Sequence, residues 1–126
     1  MEYKGIVFFD YDGTLTDENE KIFTPTEKTK KSIDALNENG YLTVLATGRA
    51  LCYVPESGLD FGGYVTSNGA YAEIKGKEIF QSYIPKDELE ALIRTFDEAD
   101  ICYSLENQLK CYAKGLKEPL FRNMLE

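Results

Sequence analysis

The stretch Gly5-Ile6-Val7-Phe8-Phe9-Asp10-Tyr11-Asp12-Gly13-Thr14 decides how this chain folds and where its chemistry sits. Five residues, nearly all apolar, run without a break and stop at two acids and a glycine. A short continuous apolar run is the signature of a strand buried on both faces, as in a parallel sheet. Asp-Gly is also an ordinary turn signal. Two carboxylates one residue apart directly after a buried strand are nevertheless costly, because they repel each other and resist desolvation. A hard divalent cation with oxygen ligands relieves both costs, and Mg²⁺ takes one or two carboxylates together with waters and phosphate oxygens. A calcium loop does not fit. Counting from Asp10, Leu15 stands where that loop needs glycine and Lys21 where it needs glutamate.

Working outward, a polar loop from Thr14 to Phe23 leads to Thr24-Pro25-Thr26-Glu27. This reads as a helix start with Thr24 as cap, Pro25 in the first turn and Glu27 closing a capping box. Glu27 and Lys31 form an i,i+4 pair, Ile33 and Leu36 an apolar stripe, and Gly40 a stop. Tyr41 to Ala46 is a second strand, ending at Thr47-Gly48-Arg49. Strand, helix, strand favours a right-handed unit with parallel strands. Gly63 to Thr66 is a third strand, ending at Ser67-Asn68-Gly69-Ala70, and Gly76-Lys77 sits in a hairpin between Tyr71–Lys75 and Glu78–Tyr83. Pro85 opens a helix whose Leu89, Leu92, Ile93 and Phe96 form one apolar face. A second hairpin turns at Glu106-Asn107, and Leu116 to Leu125 starts another helix. The break near residues 83–85 separates a partial core, residues 1–83, from the start of an α+β insert, residues 84–126. The fold class expected is α/β, a Rossmann-like parallel sheet that is incomplete, with the beginning of an α+β cap.

Composition narrows the function classes. The 126 residues are 43% hydrophobic and 29% charged, with 9 Tyr and 7 Phe, which suits a packed globular chain. The formal charge of −8 argues against nucleic acid or an anionic membrane surface as partner. The chain lacks histidine, so acid–base chemistry falls to carboxylates, Lys, Tyr or Cys. Cys52, Cys102 and Cys111 are an odd set at no metal-like spacing, read as reduced thiols in a cytoplasmic protein. Only Gly5 to Phe9 separates the first four residues from Asp10, too little for a signal peptide or membrane span.

In an open parallel sheet the carboxyl ends of the strands share one edge, where ligands bind. Asp10 and Asp12, Thr47 to Arg49, and Asn68 should therefore converge. An exposed Asp can attack phosphorus and form an aspartyl phosphate, and a second can protonate the leaving oxygen.

With these three strand ends in order, the chain resembles the haloacid dehalogenase (HAD) superfamily. Asp-x-Asp-Gly-Thr after an apolar strand is similar to its first motif, Thr-Gly-Arg to its second, and Ser-Asn-Gly-Ala before a hairpin and α+β insert to the Cof-like sugar-phosphatase branch. The resemblance implies a Mg²⁺-dependent phosphatase of small phosphorylated metabolites such as sugar phosphates. It implies Asp10 as nucleophile and Mg²⁺ ligand. Asp12 would be the general acid, then base, with its backbone carbonyl on the metal. Thr47 would bind a phosphoryl oxygen with help from Gly48, and Arg49 and Asn68 would touch substrate or brace the site. The superfamily's further motifs, a Lys and acidic Mg²⁺ ligands, lie beyond its cap insert. This chain ends in cap-like sequence, where Lys110, Lys114 and Lys117 take no assigned role. Weak or absent activity of the chain alone is therefore the expectation, with a partner- or ligand-binding remnant and a phosphomutase as alternatives. The first strand should also lie at an open edge and favour self-association.

Overall fold

The structure is a computed structural model that describes residues 2–125. The chain forms two compact units, Met1–Ser82 and Tyr83–Glu126.

In the first unit a five-stranded sheet runs in the order β1 (Gly5–Phe9), β2 (Tyr41–Ala46), β3 (Gly63–Thr66), β4 (Tyr71–Ile74), β5 (Lys77–Gln81). The first three strands are parallel, with Phe9 opposite Leu45 and Ala46 opposite Val65. The last two extend the sheet as an antiparallel hairpin. Its turn is Lys75-Gly76, one residue earlier than the sequence pattern implied. Both turn residues have positive φ, 50° and 73°, as a tight hairpin that matches strand twist requires.

Helix α1 (Glu27–Glu38) connects β1 to β2. Its cap is Thr26, not Thr24: the Thr26 hydroxyl accepts a bond from the Thr29 amide at 3.3 Å. Pro25 is thereby left ahead of the helix. Glu27 pairs with Lys30 at 3.0 Å, one residue short of the expected Lys31. Ile33 is the helix's buried residue and joins Tyr11, Leu15, Leu45 and Phe61 in the core, with Phe9, Val54, Leu59 and Tyr64 packed against them. Asn37 ties the helix end down. It accepts from the buried Thr43 hydroxyl at 2.7 Å and donates to the Asp60 carbonyl at 2.8 Å.

The middle of the three parallel strands, β2, is buried on both faces from Leu42 to Leu45. β1 is not, contrary to the expectation from its apolar run. Its burial alternates, and Ile6 and Phe8 are 54% and 61% exposed. The physical reason is position. β1 is the last strand of the sheet among the described residues, and α1 covers the face that carries Phe9.

The second unit holds α2 (Lys86–Glu98), a hairpin of β6 (Tyr103–Glu106) and β7 (Cys111–Lys114), and α3 (Pro119–Leu125). The hairpin loop runs over 107–110, where the Asn107 carboxamide accepts from the amides of Leu109 and Lys110. Phe96 of the apolar stripe meets Tyr103 with ring centroids 5.6 Å apart, while Leu92 is 40% exposed. Lys114 pairs with Asp97, and Lys110 lies over the Tyr112 ring. Among the described residues no helix is long and apolar enough to cross a membrane.

Ile33 is almost wholly buried at the centre of the first unit's core, so Ile33→Ala leaves a cavity. We expect a loss of about 2–5 kcal/mol of unfolding free energy, measurable by urea denaturation followed by circular dichroism.

Candidate active site

Parallel register dictates where the site lies. Asp10 directly follows Phe9, Thr47 directly follows Ala46, and Ser67 directly follows Thr66, so all three strand tips end at one edge of the sheet.

The turn after β1 is built on Tyr11. Its carbonyl accepts from the amides of Thr14, Leu15 and Thr16 at 2.9–3.2 Å and from the Thr16 hydroxyl at 3.3 Å. Tyr11 is buried, and burial pushes its hydroxyl pKa up. Gly13 takes φ +80°, where a side chain would be strained. The tight turn leaves Asp10 and Asp12 exposed on either side of the buried ring.

The two acids then differ. The Asp12 carboxylate is held at both oxygens by the Arg49 guanidinium, Nε donating at 2.8 Å and Nη2 at 2.7 Å. This two-pronged geometry is the strongest form of the Arg–carboxylate pair. It holds the Asp12 pKa below the usual aspartate value, against a smaller opposing effect of burial. Arg49 also donates to the Tyr53 carbonyl at 3.2 Å and sits 5.5 Å from the centroid of the Tyr11 ring. Among the described residues the Asp10 carboxylate has no hydrogen-bond or ion-pair partner.

The second and third loops are latched together. Ser67 donates its amide to the Arg49 carbonyl at 2.8 Å, and Asn68 to the Thr47 carbonyl at 3.4 Å. Thr47 is buried, and its hydroxyl accepts from the Arg49 amide at 3.2 Å, which keeps the hydroxyl proton free to donate. Ser67 and Asn68 are both in the left-handed region, φ 51° and 54°, a conformation that costs about 1–2 kcal/mol per residue outside glycine. A Cβ at position 48 would lie 2.9 Å from the Asn68 Oδ1, so any larger residue there has to push the Asn68 carboxamide aside.

The structure thus brings Asp12, Thr47, Gly48, Arg49 and Asn68 into one bonded group, with Asp10 at the adjoining strand tip. Tyr11 and Tyr53, which support Arg49 by ring and carbonyl, escaped the sequence reading. An aromatic between two acids carries no polar signal of its own, and a backbone acceptor is independent of residue type. A hollow of about 440 Å³ lined by Leu51, Val54, Leu59, Phe61 and Tyr64, among others, includes neither aspartate.

As for a metal, no group of three or more His, Cys, Asp or Glu side chains gathers among the described residues. The exposed, unpartnered Asp10 carboxylate fits Mg²⁺, which accepts one or two carboxylates and retains waters. The Asp12 side chain is committed to Arg49, which leaves its backbone carbonyl as the donor that the family resemblance implies.

The sequence pattern of the haloacid dehalogenase-like hydrolases matches residues 7–123. The chain belongs to this family. A curated relative, "Putative phosphatase YkrA" of Bacillus subtilis (strain 168), is 25% identical over 109 residues, covering 83% of this chain and 41% of that protein. A solved structure of a hypothetical protein from Geobacillus kaustophilus HTA426 superposes with a TM-score of 0.77 at 25% identity, covering 94% of this chain and 45% of that one. The HAD subclass IIB sugar phosphatase BT4131 gives 0.73 at 25% identity, with 97% and 49% covered. This hydrolase-family chain therefore spans less than half the length of each of these relatives.

Because Arg49 depresses the Asp12 pKa, the pair contributes to stability above the ordinary aspartate pKa, and that contribution is lost as pH falls through the folded-state value. Both side chains are well exposed to solvent, at 38% and 54%, so the contribution is below about 1 kcal/mol. In Arg49→Gln, carboxyl ¹³C NMR titration should show the Asp12 pKa rising toward the usual range. The small stability deficit of the variant at neutral pH should close in acid.

Proposed function

We propose that this chain carries the phosphoryl-transfer edge of a phosphate-monoester hydrolase acting on small phosphorylated metabolites, sugar phosphates among them, through an aspartyl phosphate on Asp10. The observation that carries this reading is the Arg49–Asp12 bond, which joins the loop after β1 to the Thr47-Gly48-Arg49 loop beside a free Asp10. Family membership and the phosphatase names of its relatives support it. On this reading residues 1–83 belong to the core and residues 84–126 begin a cap that selects the substrate. An odd number of cysteines, Cys52, Cys102 and Cys111, at no metal-like spacing favours a reducing, cytoplasmic setting.

The chemistry divides among the residues as follows. An Asp10 oxygen attacks phosphorus while the bond to the ester oxygen breaks. The departing oxygen takes its electron pair and a proton from Asp12. Water then attacks the phosphoaspartate and gives a proton to Asp12, which restores the Asp10 carboxylate and releases phosphate. Phosphoryl transfer spreads negative charge over equatorial oxygens, so donors must be aimed there. The Thr47 hydroxyl proton and the Gly48 amide supply two. Arg49 supplies a third when it exchanges Asp12 for the substrate phosphate. That exchange also frees Asp12 to hold a proton, which its pair with Arg49 opposes. Bound Mg²⁺ would neutralise charge on the phosphate and carboxylate, held by Asp10 and the Asp12 backbone carbonyl.

The test is hydrolysis of a chromogenic phosphate ester with Mg²⁺, comparing the unmodified chain with Asp10→Asn. Turnover should fall to background in the variant, and chelation of Mg²⁺ should do the same to the unmodified chain. Absence of turnover together with undetectable Mg²⁺ binding would favour the reading of a ligand-binding remnant.

A further inference from the structure

Strand β3 ends on a threonine that is wholly buried, Thr66, with extended backbone at φ −126° and ψ 173°. Among the described residues its Oγ1 has no hydrogen-bond partner. A buried hydroxyl left unpaired costs free energy that an apolar group of the same shape does not. The side chain is already enclosed by atoms of this chain, so its state does not depend on what lies beyond the edges of the sheet.

The register puts this hydroxyl beside that of Thr47. Thr43 bonds to Asn37 of α1, and Leu45 joins Ile33 of α1 in the core. Alternation along β2 therefore puts Thr47 on the same face. Leu45 lies opposite Tyr64 and Ala46 opposite Val65. The Thr47 amide carries the ladder one step further, donating to the Val65 carbonyl at 2.9 Å. Thr66 is thus the lateral neighbour of Thr47 on one face, across a strand spacing of about 4.8 Å. Both side chains are buried. The Thr47 Oγ1 accepts from the Arg49 amide. A hydroxyl has two acceptor positions and one proton. One acceptor position on Thr47 and the whole hydroxyl of Thr66 remain open side by side.

We propose that Thr66 is a positioning residue whose hydroxyl donates to the Thr47 Oγ1 when phosphate is bound. The inference rests on the reading of Thr47 as a phosphate donor. An oxyanion in the site fixes the direction of the Thr47 proton and turns the remaining lone pair toward Thr66. Rotation of a threonine side chain between staggered positions closes the bond, with no change in the strands. The Arg49 amide and the Thr66 hydroxyl then fill both acceptor positions, so Thr47 acts only as a donor, toward a phosphoryl oxygen. Hydrogen bonds in a chain polarise one another, and the Thr66 proton makes Thr47 the stronger donor. Thr66 acts through Thr47 and touches neither the phosphate nor a metal.

Titration of the full chain with inorganic phosphate in the presence of Mg²⁺, followed by ³¹P NMR, tests this. Thr66→Val keeps the shape and removes the hydroxyl. It should weaken phosphate binding about tenfold, while Thr66→Ser retains most of the affinity. The urea midpoint of Thr66→Val should stay level or rise, because the variant loses an unpaired buried group. In a Thr47→Val background, Thr66→Val should have no further effect on binding. Unchanged phosphate affinity in Thr66→Val overturns the proposal. So does an effect that persists without the Thr47 hydroxyl. A lowered urea midpoint also overturns it, since the hydroxyl then serves the fold, through a buried water or another partner. If the unmodified chain binds no phosphate, the phosphoryl-transfer reading falls and this inference falls with it; binding that ignores Thr66 removes this inference alone.

Discussion

The parallel register of β1 with β2 and of β2 with β3 is the constraint on which everything else in the first unit depends. Because Phe9 lies opposite Leu45 and Ala46 opposite Val65, three loops that are far apart in sequence begin at the same sheet edge. No single loop holds the site. The first supplies two acids, the second a hydroxyl and a guanidinium, and the third a backbone latch and a carboxamide. Their meeting is a property of strand pairing, and strand pairing rests on a core of Ile33, Leu45 and Phe61 that fills the space between helix and sheet.

At that edge the energetics are arranged around Arg49. A guanidinium beside a carboxylate gains little when both are exposed to water. Here it is also braced by the Tyr53 carbonyl and the Tyr11 ring, which limits the side-chain freedom lost in forming the pair. The consequence is an asymmetry between neighbouring acids. Asp12 is neutralised and oriented, while Asp10 remains an uncommitted carboxylate at the strand tip. Two like charges so close in sequence become compatible because one of them has its counter-ion built in. The left-handed Ser67 and Asn68 show the opposite side of the ledger. Their conformational cost is tolerated because it delivers two amides to the Thr47-Gly48-Arg49 loop.

Much of this was legible in the sequence. The limits of β1, β2 and β3 follow from apolar runs bounded by Asp10, Thr47 and Ser67, and the structure matches them. The acids and the Thr-Gly-Arg loop stand out because polar groups of these types are unexpected at the ends of buried strands. The misreadings have physical causes. Thr24 and Thr26 both satisfy the chemistry of a helix cap, and only backbone geometry decides that Thr26 caps. Lys75 at a positive φ moves the hairpin turn by one residue, and a lysine carries no local signal for that region. The apolar run of β1 was read as burial on both faces, yet an apolar residue costs little sequence signal to leave exposed, and exposure depends on what lies beside the strand. The Arg49–Asp12 bond was beyond reach, because a contact across 37 residues is written in the sheet register and in no local pattern.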